Sequence, residues 1–299
     1  MSAPAPRSPA VLPWPHALLA LAVVAVWGSN FVVIRVGLED LPPLLFGALR
    51  FAFALVPAVF FLKRPAAPWK HLAAYGVLIG AGQFGLLFLA MDGHISPGLA
   101  SLVMQMQVFF TIALAAWIAK ERVRPFQVFA LSLAAAGLIV IALNTDAETT
   151  PLGLGLALAA ALCWAGGNMV VKASGQVNAL AYVVWASLFS IPPLLAMSLA
   201  FEGWPAIVEG LGKADAATWA AVVWQSVGIT MFGFAVWGWL LARHPAATVT
   251  PWALLIPVFG MAASAVFLHE PLQLWKLAAA GLVLAGLAVI LIWPRLRRL

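Results

Sequence analysis

The side chains best suited to chemistry are a few polar residues that stand inside long apolar runs. They are Asn30, Arg50, Gln83, Gln105, Gln107, Asn168 and Gln225. Amides and a guanidinium can bind a ligand, but they do not exchange protons near neutral pH as a carboxylate–histidine pair does. The sequence also lacks a P-loop, an HExxH motif, a GxSxG motif and any apolar run with two carboxylates. These residues therefore predict a binding site for a small solute and argue against an enzyme.

Two of the amides stand near tryptophans at corresponding places in the two halves of the chain. Trp27 and Asn30 are three residues apart, and Trp164 and Asn168 are four apart, so each pair shares one face of a helix. We expect the two pairs to meet at a central cavity and to bind substrate there. Hydrogen bonding between helices is the alternative role for both amides.

Helical spacing adds three candidates for the cavity wall, which are Met104, Gln107 and Gln83. Met104 and Gln107 share a stripe of the fourth apolar run, whereas Gln105 points nearly the opposite way and is expected between helices. Gln83 shares a stripe with the two glycines of a GxxxG sequence in the third run, a spacing typical of close helix packing. Gln83 remains a candidate for the cavity wall.

Four tryptophans stand too deep in apolar runs to belong to an interfacial belt. Besides Trp27 and Trp164 they include Trp224 and Trp252, for which an aromatic cavity wall and simple core packing are equally expected. The predicted substrate-binding residues are Trp27, Asn30, Gln83, Met104, Gln107, Trp164, Asn168, Trp224 and Trp252.

Other residues are expected to support structure or a gate. Arg50 lies roughly 12 Å along its helix from the nearer end, where a substrate carboxylate or a partner within the protein could pair with it. Several further candidates stand at the ends of apolar runs or are prolines of the ninth run. The predicted structural or gate residues are Arg50, Asp92, His94, Glu121, Glu270, Pro251 and Pro257. The single cysteine, Cys163, offers no metal site, and no metal or cofactor is expected.

Composition places these residues in a membrane. Of 299 residues 64% are hydrophobic and only 9% are charged, and the mean hydropathy is +1.03. A surface so poor in charge is tolerated only by lipid. Ten apolar runs are each long enough to span a bilayer. They cover residues 16–37, 42–62, 69–91, 95–119, 125–143, 151–173, 178–201, 216–241, 246–268 and 272–293, and a small interfacial helix is expected between the seventh and eighth.

The basic residues predict the orientation. If the N-terminus is cytoplasmic, the inner segments hold twelve of the sixteen Lys and Arg, the outer segments hold three, and Arg50 lies within a span. This bias predicts that both termini are cytoplasmic in a multi-pass protein of the inner (plasma) membrane. The net charge of +6 forms no continuous patch, so a nucleic-acid partner is not expected.

The two halves repeat. Residues 94–137 correspond to residues 243–286. The offset between matching residues is a constant 149 from the pair Glu121 and Glu270 to the pair Gly137 and Gly286. Five spans per half is an odd number, so the second half enters the membrane from the opposite side. We expect a cytoplasmic tail over 1–15, five-span repeats over 16–146 and 147–293, and a basic cytoplasmic tail over 294–299.

Two segments carry a resemblance to a known family. WGSNFVVIRVGLEDLPPLLFGALRFAFAL (27–55) resembles the opening of an EamA domain, in the drug/metabolite transporter (DMT) superfamily, and PVFGMAASAVFLHE (257–270) resembles its ninth span. The Trp- and Met-rich runs look most like the YddG-type amino-acid exporters. The resemblance implies an all-α fold of ten helices in two inverted five-helix repeats.

The resemblance also bears on single residues. The family has an arginine at the place of Arg50 across diverse substrates, which favours a structural pairing for it. The segment MQMQVFF (104–110) departs from the family, which often has a mid-span proline there, as at Pro257 in the second half.

These observations predict a secondary transporter that exports small neutral metabolites by alternating access, with amino acids that have apolar or aromatic side chains as the expected substrates. Export of other drug-like or metabolite solutes by the same fold is the alternative. An ion channel would need polar pore rings and an intramembrane enzyme a buried acid–base pair. The expected partners are a small-molecule substrate and membrane lipid; a monomer is sufficient and an oligomer is possible. No titratable group lies at mid-depth, so movement down the substrate gradient is expected. Proton coupling through Asp92, His94 or Glu270 at a gate is the alternative.

Overall fold

The computed structural model describes residues 12–118, 120, 123–144, 149–175, 178–244 and 246–296. Within these residues the chain forms helices and no strand, and ten helical segments are long and apolar enough to cross a membrane. They are α1 (Trp14–Gly37), α2 (Pro43–Phe61), α3 (Trp69–Met91), α4 (Pro97–Ile118), α5 (Pro125–Leu143), α6 (Pro151–Ser174), α7 (Ala179–Lys213), α8 (Ala216–Arg243), α9 (Thr250–Phe267) and α10 (Leu274–Pro294). The predicted ten-helix, all-α fold is confirmed.

The predicted limits agree with the observed ones to within about a turn, with α7 as the exception. After Ala179–Met197, α7 passes through a π-helical turn at Ser198–Glu202 and continues as Gly203–Lys213. This last segment is the helix expected between the seventh and eighth spans. It is joined to α7 rather than separated from it.

Proline begins four of the helices. Pro43, Pro97, Pro125 and Pro151 stand in the first turn of α2, α4, α5 and α6. Proline has no backbone N–H, which would be unpaired at this position in any case, and its φ suits a helix. α7 is instead preceded by the N-cap residue Asn178, whose side chain accepts a hydrogen bond from a backbone N–H of the first turn.

The main helix contacts are the same when the two halves are exchanged. α1 packs on α8 and α9, and its counterpart α6 packs on α3 and α4. α2 packs on its own counterpart α7, α4 on α9, and α5 on α10. With five spans in each half, this exchange requires the halves to be inverted, as the DMT fold implies.

Corresponding helices of the two halves also depart from α geometry. α3 is π-helical over Leu78–Gly85 and α8 over Trp224–Gly233. α4 is interrupted between Val103 and Met106, and α9 begins with a 3-10 helix over Thr250–Leu255. The last two irregularities lie at equivalent positions of the repeat. Such segments at membrane depth are tolerated where protein or water satisfies the backbone, and they often mark functional sites.

Glycines let the central helices cross closely. A Cβ on Gly28 of α1 would lie 2.5 Å from the Ile256 carbonyl oxygen and 2.5 Å from Phe259 Cβ, both on α9. A Cβ on Gly260 of α9 would lie 2.4 Å from Ser101 Oγ of α4. Only glycine therefore permits these backbones to approach as they do.

Two further crossings use glycine in the same way. The GxxxG of α3 packs on α7, where a Cβ on Gly76 would lie 2.3 Å from the Ala186 carbonyl oxygen, so its close-packing role is confirmed. α5 and α10 cross at the equivalent glycines Gly137 and Gly286, where an added Cβ would lie 2.8 Å from Val283 Cγ2 and from the Ala130 carbonyl oxygen respectively.

Candidate functional site

A cavity of about 1290 Å³ lies between the two halves. Its wall is formed by α1, α2, α3, α4, α6, α7, α8 and α9, while α5 and α10 contribute nothing to it. The lining reaches Gly175 and Asn178 between α6 and α7 and Ala242 near the end of α8, so the cavity extends to one end of the bundle, here called the open end. This is the end that the charge bias predicts to be cytoplasmic.

The opposite end, here called the closed end, is packed. The lining stops at Ile34 of α1 and Leu87 of α3, and a buried apolar cluster that includes Leu41, Phe46 and Met91 fills the space beyond. A solute in the cavity would therefore have one exit.

The structure brings the matched tryptophan and amide pairs to this one cavity. Trp27, Asn30, Trp164 and Asn168 all line it. The Trp27 indole Nε1 donates a hydrogen bond to the Ile229 carbonyl oxygen at 3.3 Å, which fixes the ring against α8. Their substrate-binding role stays a prediction.

The amides also hydrogen-bond between helices, so the two roles considered for them coexist. Gln225 Nε2 donates to Asn30 Oδ1 at 2.6 Å, and both side chains are buried. Asn168 Nδ2 donates to Gln107 Oε1 at 2.8 Å and to Thr111 Oγ1 at 3.1 Å. Each amide is thereby held in one orientation at the cavity wall.

The expected roles of two glutamines are reversed. Gln105 lines the cavity beside Met104, whereas Gln107 lies outside the lining and binds Asn168. The reason is the interruption of α4: Gln105 N bonds to the Leu102 oxygen, and Gln107 N to the Met104 oxygen, in i→i+3 steps. These tighter turns rotate the following residues relative to a regular α-helix.

Two of the predicted tryptophans lie away from the cavity. The Trp224 ring is 38% exposed and packs on Gly228 of its own helix. It begins the π-helical part of α8, where a 3.6-residue period no longer describes the faces, and Ile229 and Phe234 line the cavity instead. Trp252 packs against the apolar cluster that includes Leu240 and so has the core-packing role.

Arg50 is buried, with 2% of its surface exposed, and lines the cavity. No acidic residue in the described part of the chain pairs with it, and its structural contacts are instead to a hydroxyl and to aromatic rings. Arg50 Nη2 donates to Thr230 Oγ1 at 3.3 Å, and the guanidinium lies over the Phe84 ring at 3.6 Å from its centroid. Its Nε and Nη1 atoms have no hydrogen-bond partner among the residues that the structure describes.

The sequence alone does not identify several of the residues that line the cavity. They are aromatic side chains of α3, α7 and α8: Tyr75, Phe84, Tyr182, Trp237 and Trp239. Aromatic residues are common throughout apolar spans, so their type and spacing alone do not separate a cavity wall from packed core.

A carboxylate holds the closed end together at Glu270. Its oxygens accept hydrogen bonds from Gly98 N at 3.0 Å, from Lys276 Nζ at 2.9 Å, and from the hydroxyls of Ser96 and Ser264. Burial raises the pKa of Glu270, but the hydrogen bonds from Lys276, Ser264 and Ser96 outweigh it and hold the pKa below its usual range. Glu270 therefore joins α9 and α10 to the N-terminus of α4 as an ionised group.

A second carboxylate at the closed end acts similarly and was not among the predicted residues. Glu202 of α7 accepts hydrogen bonds from Leu44 N at 2.6 Å and Leu45 N at 3.2 Å, in the first turn of α2. An acidic side chain is favourable at a helix N-terminus because it binds unpaired N–H groups there.

The other predicted gate residues lie in different parts of the fold. Asp92 is exposed at the end of α3, and the His94 carbonyl oxygen accepts a hydrogen bond from Thr150 N at 2.9 Å. Pro251 lies in the 3-10 part of α9, and Pro257 is buried in the first turn of its α-helical part. Glu121 lies outside the described residues, as do residues 1–11 and 297–299 of the predicted terminal tails.

Comparison with known proteins identifies similar sequences over the whole chain. The model of the EamA-like transporter family matches residues 14–143 and again residues 151–292. A "Probable amino-acid metabolite efflux pump" of Salmonella typhimurium (strain LT2) is 42% identical over 287 residues, which are 94% of this chain and 96% of that protein. A protein of the same name from Escherichia coli (strain K12) is 38% identical over 288 residues, with the same shares covered.

Two more distant similarities extend these findings. A "Probable terminal-alkyne amino-acid exporter" of Streptantibioticus cattleyicolor is 28% identical over 284 residues, 91% of either chain. A solved crystal structure at 19% identity aligns with a TM-score of 0.63 over 95% of this chain and 99% of its own. At 19% identity, this similarity shows only that the two proteins share a fold.

Proposed function

Because the chain belongs to the EamA-like transporter family, we propose that it exports amino acids or their close metabolites through the cavity between its halves. The family and the relatives named as efflux pumps make the protein a multi-pass exporter of the DMT type rather than an enzyme. Substrate class, mechanism and direction across the membrane are the parts proposed here.

The composition of the cavity wall carries the proposal. Aromatic and apolar side chains make up most of the lining, among them Trp27, Trp164 and Met104. These surfaces suit an apolar or aromatic side chain. Fixed amides such as Asn30 and Asn168 supply donors and acceptors for the polar end of an amino acid. The relatives named for amino-acid metabolites and for a terminal-alkyne amino acid agree with this substrate class.

Alternating access is supported by the exchange symmetry of the packing. The present state is open at one end and closed at the other, and the main helix contacts of one half recur in the other. If the halves exchange conformations, the same contacts produce a cavity that opens at the other end. The Glu270 and Glu202 contacts at the closed end would then have to part.

Vesicle flux tests the proposed substrate class. Purified protein in lipid vesicles is assayed with labelled tryptophan, methionine, threonine, lysine and a sugar phosphate. We expect tryptophan and methionine to move fastest, because the described lining contains one cation and no acidic side chain for lysine. A strong preference for the sugar phosphate would refute the amino-acid proposal.

The cavity volume favours a second candidate, export of larger drug-like solutes. About 1290 Å³ exceeds the range of roughly 300–1,000 Å³ usual for small-molecule pockets. Flux of a planar aromatic dye in the same vesicles, with none of the amino acids, would favour this candidate.

A further inference from the structure

The position of Arg50 is fixed by its surroundings. Ser226 Oγ of α8 donates a hydrogen bond to the Arg50 carbonyl oxygen at 2.9 Å. Its guanidinium lies over Phe84 of α3 at 3.6 Å and near Phe51 at 4.7 Å from the ring centroids. Aromatic faces attract a cation without neutralising it. The cation is therefore held in place at the cavity wall with its charge uncompensated.

The hydrogen-bonding capacity of this cation is largely unused. Among the described residues only Nη2 has a partner, Thr230 Oγ1 at 3.3 Å, while Nε and Nη1 are buried without one. The contrast is Lys276, an equally buried cation that pairs with Glu270 at 2.9 Å. A buried cation without a counter-charge is costly, so an anion entering the cavity would gain strongly at Arg50.

We propose that Arg50 binds the carboxylate of the substrate, an assignment that rests on the proposed export of amino acids and names the residue that recognises them. A guanidinium forms paired hydrogen bonds with a carboxylate, and its planar donors favour that group over a neutral amide or ester. Arg50 is the one charged side chain in the described lining.

The lack of an acid in that lining has a second consequence for the substrate. The amine of a bound amino acid faces amides and aromatic rings, such as Gln83, Gln105 and Trp164, and no carboxylate. Its positive charge therefore adds no ion pair and is repelled by Arg50. An amino acid whose amine is acylated, and hence uncharged, should bind at least as tightly as the free amino acid.

A series of tryptophan derivatives tests both points on the unmodified protein. Binding to purified protein in lipid nanodiscs is measured for tryptophan, N-acetyltryptophan, tryptophanamide and tryptamine. We expect N-acetyltryptophan to equal or exceed tryptophan, and the two compounds without a carboxylate to bind at least about tenfold more weakly. Tryptophanamide binding as tightly as tryptophan would overturn the role of Arg50 and leave amino-acid export standing. Binding of N-acetyltryptophan without tryptophan would support Arg50 and refute export of free amino acids.

Substitutions at Arg50 test whether this side chain is the one that binds the carboxylate. In Arg50→Gln the preference for tryptophan over tryptophanamide should fall to about onefold, whereas Arg50→Lys should keep part of it because the charge remains. The matched control is Arg243→Gln, which removes a cation that stacks on Trp239 at 4.1 Å near the open end and should leave the preference unchanged. A preference retained in folded Arg50→Gln would overturn the proposal; should that variant not fold, the derivative series on the unmodified protein decides.

Discussion

At the scale of single residues, two buried cations are placed in opposite ways. Lys276 is neutralised by Glu270 within a network that also includes Ser96 and Ser264. Arg50 has aromatic faces and one hydroxyl around it and no carboxylate in the described part of the chain. The paired cation lies at the closed end and the unpaired one at the cavity. The charge of Lys276 therefore stabilises the packing of the closed end, whereas the charge of Arg50 remains available to a ligand in the cavity.

The Glu270 network predicts a pH-dependent stability. The pKa of Glu270 in the folded protein lies below its ordinary value of 4.5. The unfolded chain therefore binds the proton more tightly, so the stabilisation is complete above pH 4.5 and is lost as the pH falls through the folded-state pKa. We expect Glu270→Gln to lower the free energy of unfolding near neutral pH by about 3 kcal/mol, because Lys276 loses its counter-charge.

Thermal unfolding in detergent between pH 7 and pH 3 measures this effect. The unmodified protein should lose stability more steeply than Glu270→Gln as the solution becomes acidic. Glu209→Gln is the control, since Glu209 and its partner Lys213 are both exposed and such pairs contribute little. Equal acid-induced losses in Glu270→Gln and the unmodified protein would contradict the prediction.

At the scale of elements, regular helices could be predicted and irregular ones could not. The length of the apolar runs predicted the ten spans, and the tryptophan–amide pairs predicted residues that line the cavity. The errors at Gln105, Gln107 and Trp224 all fall within or beside segments where the helical period changes. MQMQVFF contains neither proline nor glycine, so its local chemistry gives no sign of the interruption that tertiary packing imposes.

The crossing of α1 and α9 gives a prediction at the same scale. Gly28→Ala would place a Cβ 2.5 Å from Ile256 O and Phe259 Cβ, so the helices must separate. We expect a loss of about 1–3 kcal/mol in stability and weaker tryptophan binding, because α1 and α9 both line the cavity.

The control for this change is another helical glycine. A Cβ on Gly155 of α6 would meet nothing within 4 Å, so Gly155→Ala should keep its stability or gain up to about 1 kcal/mol. Thermal unfolding of the two variants side by side decides the matter. If Gly28→Ala unfolds no earlier than Gly155→Ala, the crossing of α1 and α9 does not require glycine at position 28.

At the scale of the whole molecule, charge bias and shape give independent information. The charge bias predicts which end of the bundle faces the cytoplasm, and the extent of the cavity shows which end is open. Together they predict that this state is open to the cytoplasm, as expected of an exporter ready to load substrate. The closed end carries the acidic residues Glu202, Glu270 and the exposed Asp92, and the predicted outer segments hold only three of the sixteen Lys and Arg.

Cysteine labelling tests this orientation. In a Cys163→Ala background, single cysteines are placed at exposed Gly212, beside the closed end, and at exposed Ala66, beside the open end. In intact spheroplasts, an impermeant thiol reagent should modify the cysteine at position 212 and spare that at position 66 until the membrane is broken. The opposite pattern would reverse the topology, and with it the direction in which the cavity faces.

The tight pairing of α5 with α10 has a consequence for how this architecture diversifies. The two helices cross at Gly137 and Gly286 and contribute no residue to the cavity wall. Substitutions that reshape the cavity leave this junction intact, so a change of cargo need not weaken the frame that joins the halves. An ancestral duplicated protein of this design could accumulate new specificities one wall residue at a time and remain assembled at every step.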